Sequence, residues 1–329
     1  MSTIASRCVA LAVAMLGWVL SGEARAQPFP QRPITLVIGA AAGGSSDTAA
    51  RMIQDRMSQS LGQQIVIENV PGAGGMTASA RVARALPDGY TVLIQQTGLV
   101  TLPALQPKLL TFDVEKDLVA VGLVNRAYSY LLGRKTLAPN TLTELVAWMK
   151  GPGKPAKFAH PGAGTMGALT TALFSKAVDV EVNPIPYRGV APALNDLVGG
   201  HVDLSTGSAA VAPPLIVSGN VKPYAVSSGK RDPKAPQVPT FTELGYPQLE
   251  RPLWHALFVP AGTPRPVIDR LNAALRDALN DPQVRKSYEE KSIEMYPPEE
   301  WTPEAAAAHV SKELVYWTKV IRENNIKAE

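Results

Sequence analysis

Two stretches of small residues hold the chemistry of this sequence. Gly39-Ala40-Ala41-Ala42-Gly43-Gly44-Ser45-Ser46-Asp47 follows the β-branched run Ile34–Ile38 and leads into a helix predicted over 47–61. His160-Pro161-Gly162-Ala163-Gly164-Thr165 follows a strand predicted over 157–160 and opens a helix predicted over 168–178. Glycine accepts positive φ and lets the backbone approach a ligand closely. The first turn of a helix has unpaired N–H groups and a partial positive charge. Such a turn seats an anion without any Lys or Arg. Ser45, Ser46 and Thr165 add hydroxyl donors. One turn of this kind is a weak signal, because glycine also closes ordinary αβ corners. One in each half of the chain is stronger, since two seats facing each other across a cleft can hold one carboxylate. Asp47 stands at a helix start, where its side chain caps N–H groups and suits the dipole. Pro71–Gly75 is a third Gly-rich turn, read as shaping an αβ corner.

Enzyme signatures are missing. The sequence has no G-x-x-x-x-G-K-[ST], no G-x-S-x-G elbow, and its first Gly loop does not spell G-x-G-x-x-G. The four histidines, His160, His201, His255 and His309, form no i, i+4 pair, so no helical zinc site is expected. His160 and His255 read as hydrogen-bonded framework residues near the cleft. Tyr128, Tyr130, Tyr187 and Trp254 can wall a ligand or fill a core equally well. Trp148, Trp301 and Trp317 lie among apolar neighbours at helical spacing and are expected in packing. No cofactor, metal or catalytic residue is expected.

The elements that position the two loops alternate. Strands at 34–38, 64–68 and 91–95 are separated by helices at 47–61 and 77–86, the second stopped by Pro87-Asp88-Gly89. This spacing favours a parallel sheet with right-handed crossovers. The pattern restarts with strands at 119–124, 129–132, 157–160, 183–187, 201–205, 221–227 and 254–259. Helices are predicted at 141–150, 168–178, 191–198, 264–280 (with Thr263 as its N-cap) and 303–324. Two αβ units, crossed back and forth, fit better than one very wide sheet. The expected division is 27–127 with 229–329 in one domain, and 128–228 in the other.

Composition sets the frame. Charged residues are 18% against 46% apolar, which excludes a charge-driven disordered chain. The net charge of +4 is dispersed, with no basic run, so nucleic-acid binding is not expected. Arg7, the apolar run Cys8–Leu20 and Ala24-Arg25-Ala26 read as a cleaved secretory leader over residues 1–26, too short to span a bilayer. The single cysteine, Cys8, leaves with it. An exported, soluble, cysteine-free protein of one or two domains is expected.

Six blocks then resemble one family in order. They are RPITLVIGAAAGGSSDTAAR, GQQIVIENVPGAGGMTASARVARALPDGYTVLI, FAHPGAGT, IPYRGVAPALNDLVGGHVDL, VSSGKRDPKAPQVPTFTELGYP and LFVPAGTPRPVIDRLNAAL. The chain resembles the solute receptors of tripartite tricarboxylate transporters, the TctC or Bug family. The resemblance implies a type II periplasmic binding protein, with two αβ domains closing on a small carboxylate. It places the carboxylate between Gly39–Asp47 and Pro161–Thr165, with Gln96 and Thr97 lining the same end. Tyr187 and the segment from Gly207 to Ser208 would reach the other end. Many members carry an acid after the strand ending in VDL, where this chain reads Ser205-Thr206-Gly207-Ser208. With Gly207 at that place, a mono- or dicarboxylate without an amine is implied, aromatic acids included. Delivery to the membrane permease of such a transporter is implied. A ligand-dependent partner of a sensor kinase and an exported hydrolase are the alternatives.

Overall fold

The computed structural model describes residues 29–327 apart from Lys154. The proposed leader lies outside the described residues. Two five-stranded sheets make up the fold. Sheet one contains β1 (Ile34–Ile38), β2 (Ile65–Asn69), β3 (Thr91–Gln96), β4 (Leu118–Ala127) and β10 (Leu253–Pro260), in the order β2-β1-β3-β10-β4. Sheet two contains β5 (Ser129–Arg134), β6 (Ala156–His160), β7 (Val182–Pro186), β8 (Leu204–Ser208) and β9 (Val221–Val226), in the order β7-β6-β8-β5-β9. Each sheet has a parallel trio and one strand inserted antiparallel, β10 in the first and β5 in the second. The sequence reading expected parallel sheets. The inserted strands are the first in sequence after each crossing between the halves, so they enter their sheets from the opposite end.

Local sequence explains the elements. β1 is apolar on both faces because helices cover both, as buried parallel strands require. The helix α1 (Ser45–Leu61) buries Ala49, Ile53, Met57 and Leu61, a stripe at every fourth residue. Gly62 ends it at φ 71°, its amide reaching back to Ser58 and Gln59. Beyond α1, the first half uses α2 (Met76–Ala83), α3 (Gly98–Leu105) and α4 (Val114–Asp117). The second half uses α5 (Leu142–Lys150), α6 (Met166–Ala177), α7 (Val190–Val198) and α8 (Ala212–Val217). After β10, α9 (Arg265–Asn280), α10 (Pro282–Glu290) and α11 (Pro303–Glu323) complete the first half.

Four expectations are corrected. The chain returns to the first half at about 251–253, not at 229. Ala235, Val238, Phe241 and Leu249 are buried in the cores around sheet two, so 229–250 stays with that half. The strand expected at 201–205 runs from Leu204 to Ser208. Asp203 is taken up by other work, accepting from Arg134 Nε and the Lys157 amide at 3.0 Å each, and the ladder starts after it. The helix expected from 264 starts at Arg265 behind Pro264, and the Thr263 hydroxyl donates to the Pro260 carbonyl instead of capping. Trp301 and Trp317 are buried, but Trp148 is 39% exposed on α5.

His255 supplies a pH test of this core. It is 1% exposed, with Nδ1 2.8 Å from Asn125 Oδ1 and Nε2 without a partner. Burial lowers its pKa to about 3. Between that value and about 6.5 the unfolded chain binds a proton that the folded chain does not. Stability therefore falls as pH drops through this window. From pH 7 to pH 5, this group alone should remove about 2 kcal/mol. Urea unfolding at the two pH values should show a smaller loss in His255→Asn. An equal loss would show that His255 is not the responsible group.

Candidate functional site

The carboxyl ends of all six parallel strands meet at one cavity of about 270 Å³. This is where open αβ sheets place their ligands. β1 delivers Gly39 and Ala40, β2 delivers Pro71–Gly75, and β3 ends on Gln96. From the second half, β6 delivers Pro161–Ala163, β7 delivers Tyr187–Gly189, and β8 ends on Ser208. Ser129 and Leu253, where the chain enters each inserted strand, also line it.

The helix starts set its electrostatics. α1, α2 and α7 have glycine N-caps, Gly44, Gly75 and Gly189, and none has a side-chain cap. All three glycines line the cavity. By contrast α4, α5, α10 and α11 are capped by the side chains of Asp113, Thr141, Asp281 and Thr302. An uncapped N-terminus leaves N–H donors and about half a positive charge facing whatever occupies the space. Among the described residues, no Asp or Glu lines the cavity, and Arg188 is the one charged residue that does. The geometry provides an anion seat built largely from backbone.

Buried polar contacts hold the loops. Asp47 is 3% exposed and lies inside α1. It accepts from the Gly43 amide at 3.0 Å, Arg51 Nε at 2.9 Å and Asn69 Nδ2 at 3.1 Å. Burial alone would raise its pKa, but these bonds and the Arg51 charge outweigh it and hold the carboxyl below its usual value. Asp47 thus ties the first loop to β2, a different job from the expected cap. Gln95 Nε2 donates to the Gly75 carbonyl and Ser79 Oγ at 3.0 Å each. Its neighbourhood leaves no space for side chains: a Cβ on Gly75 would meet Nε2 at 2.2 Å, and one on Gly39 at 2.8 Å. The sequence reading took Gln95 only as the end of the strand at 91–95, although a glutamine inside an apolar strand was a signal. His160 Nδ1 accepts from the Gly162 amide at 3.3 Å, and burial lowers its pKa, which keeps this acceptor free of a proton.

The two halves touch across the cavity, so the cleft is closed. Thr101 Oγ1 on α3 donates to the Gly164 carbonyl at 2.5 Å. A Cβ on Gly74 would meet the Ala163 carbonyl oxygen at 2.2 Å. On the other side, Gly189 lies against Ala41 and Gly44 against Val190.

The expected site residues divide accordingly. Gly39, Ala40, Ser45, Gln96, Pro161, Gly162, Ala163, Thr165, Tyr187 and Ser208 line the cavity. Thr165 is not a free donor there, because its hydroxyl donates to the Gly162 carbonyl at 2.7 Å and accepts from the Ala168 amide. The Tyr187 hydroxyl is likewise engaged, donating to Asp196 at 2.5 Å, and burial with that carboxylate beside it pushes its pKa up to about 12. Ala41, Gly43, Ser46, Thr97, Gly164 and Gly207 do not line it. Ala41 and Gly164 serve the contact between halves, and the Gly43 amide is spent on Asp47. Ser46 and Thr97 are buried with unpartnered hydroxyls. A Cβ on Gly207 would meet Leu132 Cδ1 at 2.9 Å and Ala212 Cβ at 3.2 Å, so this position faces the core. Tyr130 and Trp254 are buried, donating to Asp232 and Glu313. The sequence reading missed the Pro71–Gly75 turn, Gly189, Arg188, Ser129 and Thr206 as cavity walls.

Residues 49–326 match the sequence profile of the tripartite tricarboxylate transporter family receptor, TctC. The chain belongs to this family. Solved receptors have the same fold over nearly their whole length. The periplasmic binding protein BugD is 34% identical, with a TM-score of 0.87 over 92% of this chain and 100% of its own. MatC from Rhodopseudomonas palustris, solved with bound malate, is 36% identical, with a TM-score of 0.85 over 89% of this chain and 100% of its own. A third receptor, R. palustris Rpa4515 with adipate, is 30% identical, with a TM-score of 0.86 over 91% and 99%. The chain is thus a substrate-binding receptor and not an enzyme, and TctC and Bug receptors are periplasmic binding proteins.

Proposed function

We propose that this receptor works in the periplasm, captures a small carboxylate that lacks an ammonium group, and hands it to the membrane permease of a tripartite tricarboxylate-type transporter. One observation carries the ligand class. The cavity combines uncapped starts of α1, α2 and α7 with no acidic wall among the described residues. An anion finds donors there, whereas an ammonium finds no counter-charge. The malate and adipate bound to two family members are consistent with this class.

The mechanism needs no covalent step. In the open form the donors on α1 and α2 face water and take the carboxylate. Closure brings α7 and the Pro161–Ala163 loop over it. A hydrogen bond to a charged group gives ~1.5–3 kcal/mol net. Three or four such bonds support micromolar affinity, ~8 kcal/mol, after ordering costs. Ligand binding then biases the population toward the closed form, which the permease can distinguish from the open one. The two halves act as domains that pivot about 127–129 and 251–253. The chain acts as a monomer.

Thermal unfolding of denatured and refolded protein, against aliphatic and aromatic carboxylates, tests the ligand class. A ligand at 100 times its Kd stabilises by ~2.7 kcal/mol, a shift of several degrees. A shift confined to carboxylates is expected. Stabilisation by neutral or cationic solutes instead would contradict the reading.

A further inference from the structure

We infer that Arg188 sets the charge of the preferred ligand, making the cavity select dianions over monoanions; this rests on the carboxylate reading above. Arg188 lines the cavity one residue before Gly189, the N-cap of α7, and it is exposed, so it stands at the rim. Its place in the turn is fixed on both sides. The Tyr187 amide donates to the His160 carbonyl at 2.9 Å, and Gly189, at φ 130°, packs against Ala41 of the first half.

Its position sets it apart: among the described residues it is the one charged side chain in the cavity wall, and it is uncommitted. Several arginines are committed to acids, among them Arg51 to Asp47, Arg81 to Glu68, Arg126 to Glu294, Arg134 to Asp203 and Arg231 to Glu243. Arg188 makes no ion pair or hydrogen bond among the described residues. Asp196, eight residues further on in α7, already accepts from the Tyr187 hydroxyl.

The charge balance points the same way. Helix starts carry about half a positive charge each. The starts of α1, α2 and α7 together therefore amount to about one and a half charges, enough for one carboxylate and short of two. The Arg188 guanidinium adds a full charge with no acid in the cavity to offset it. At the rim water solvates this charge when a monoanion is bound, whereas the second carboxylate of a dianion can pair with it. A second wall group agrees. Ser208 is 5% exposed, lines the cavity, and its Oγ has no partner. Buried polar atoms without partners are rare, and one in a cavity wall is explained by a ligand group that completes it. The second half therefore offers a polar set of its own, beyond the helix starts of the first.

The test uses matched pairs: adipate with hexanoate, and malate with 2-hydroxybutyrate. Calorimetric titrations of wild-type protein, Arg188→Gln and Arg188→Lys are compared. Wild type should prefer the diacid of a pair that binds by about tenfold, as one charge-assisted contact provides. Arg188→Gln should reduce this preference to near unity by weakening the diacid alone, and Arg188→Lys should keep most of it. Equal weakening of both members in Arg188→Gln would make Arg188 a general attractor and overturn the inference, as would a diacid preference that survives the substitution. Those two results leave the carboxylate reading standing. Binding of neither member of either pair by wild type would count against both.

Discussion

Replacing Gly74 with alanine is expected to weaken ligand binding by about 100-fold, with the fold of both halves retained. The added Cβ would lie 2.2 Å from the Ala163 carbonyl oxygen and 3.0 Å from Leu102 Cδ1. The first contact crosses between the halves and exists only when the cleft is shut. Backbone cannot yield to a methyl group at that distance, so closure stops short. The donors on α7 and the Pro161–Ala163 loop then fail to reach the ligand. The φ of 62° at this position adds a smaller strain, about 1 kcal/mol, which falls on either conformation. A loss of ~3 kcal/mol from unfinished closure gives the expected factor. Titration with whichever carboxylate stabilises the wild type checks the affinity, and thermal unfolding without ligand checks the fold. Wild-type affinity would show that capture does not require this closed contact.

Gly207→Asp should damage the fold, and Ser208→Asp should damage binding. The sequence reading put Gly207 where an acid would meet the ligand. Strand alternation settles the geometry differently: Thr206 and Ser208 line the cavity, while Gly207 points at Leu132, Ala212 and Leu194. An aspartate at 207 would overpack this core and bury a charge without a partner, costing ~3–5 kcal/mol. A fall in Tm of roughly 10 °C is expected, or failure to accumulate folded protein. An aspartate at 208 would instead put a carboxylate in the wall of an acid-free cavity. That variant should fold and lose carboxylate binding by repulsion. The opposite pattern, with a stable Gly207→Asp that no longer binds, would place position 207 in the site after all.

The legible parts were those with strong local patterns. Strand-turn-helix spacing gave both αβ halves, and six ordered blocks identified the family. The loops at 39–47 and 161–165 were visible because glycine runs after apolar strands have few structural uses. Other features depended on long-range geometry. Nothing local to Leu253–Pro260 or Ser129–Arg134 states that these strands enter antiparallel. The start of α7 hid behind Tyr187-Arg188, since one Gly189 before an apolar run is an ordinary sign. The Pro71–Gly75 turn was visible but misread, because its contact with Ala163 joins residues far apart in sequence. The tie between Tyr130 and Asp232, which holds 229–250 to the second half, is equally non-local.

The central claim is that an acid-free cavity, with the helix starts of α1, α2 and α7 turned into it, selects carboxylates without an ammonium group. Calorimetric titration with pairs that differ only in the amine tests it most directly: succinate against aspartate, glutarate against glutamate. The diacid of a pair should bind at least about fivefold tighter than its amino counterpart, the cost of burying an ammonium without a partner being ~1–3 kcal/mol or more. Tighter binding of the amino acid would contradict the account, because it would require a counter-charge that the cavity walls do not provide.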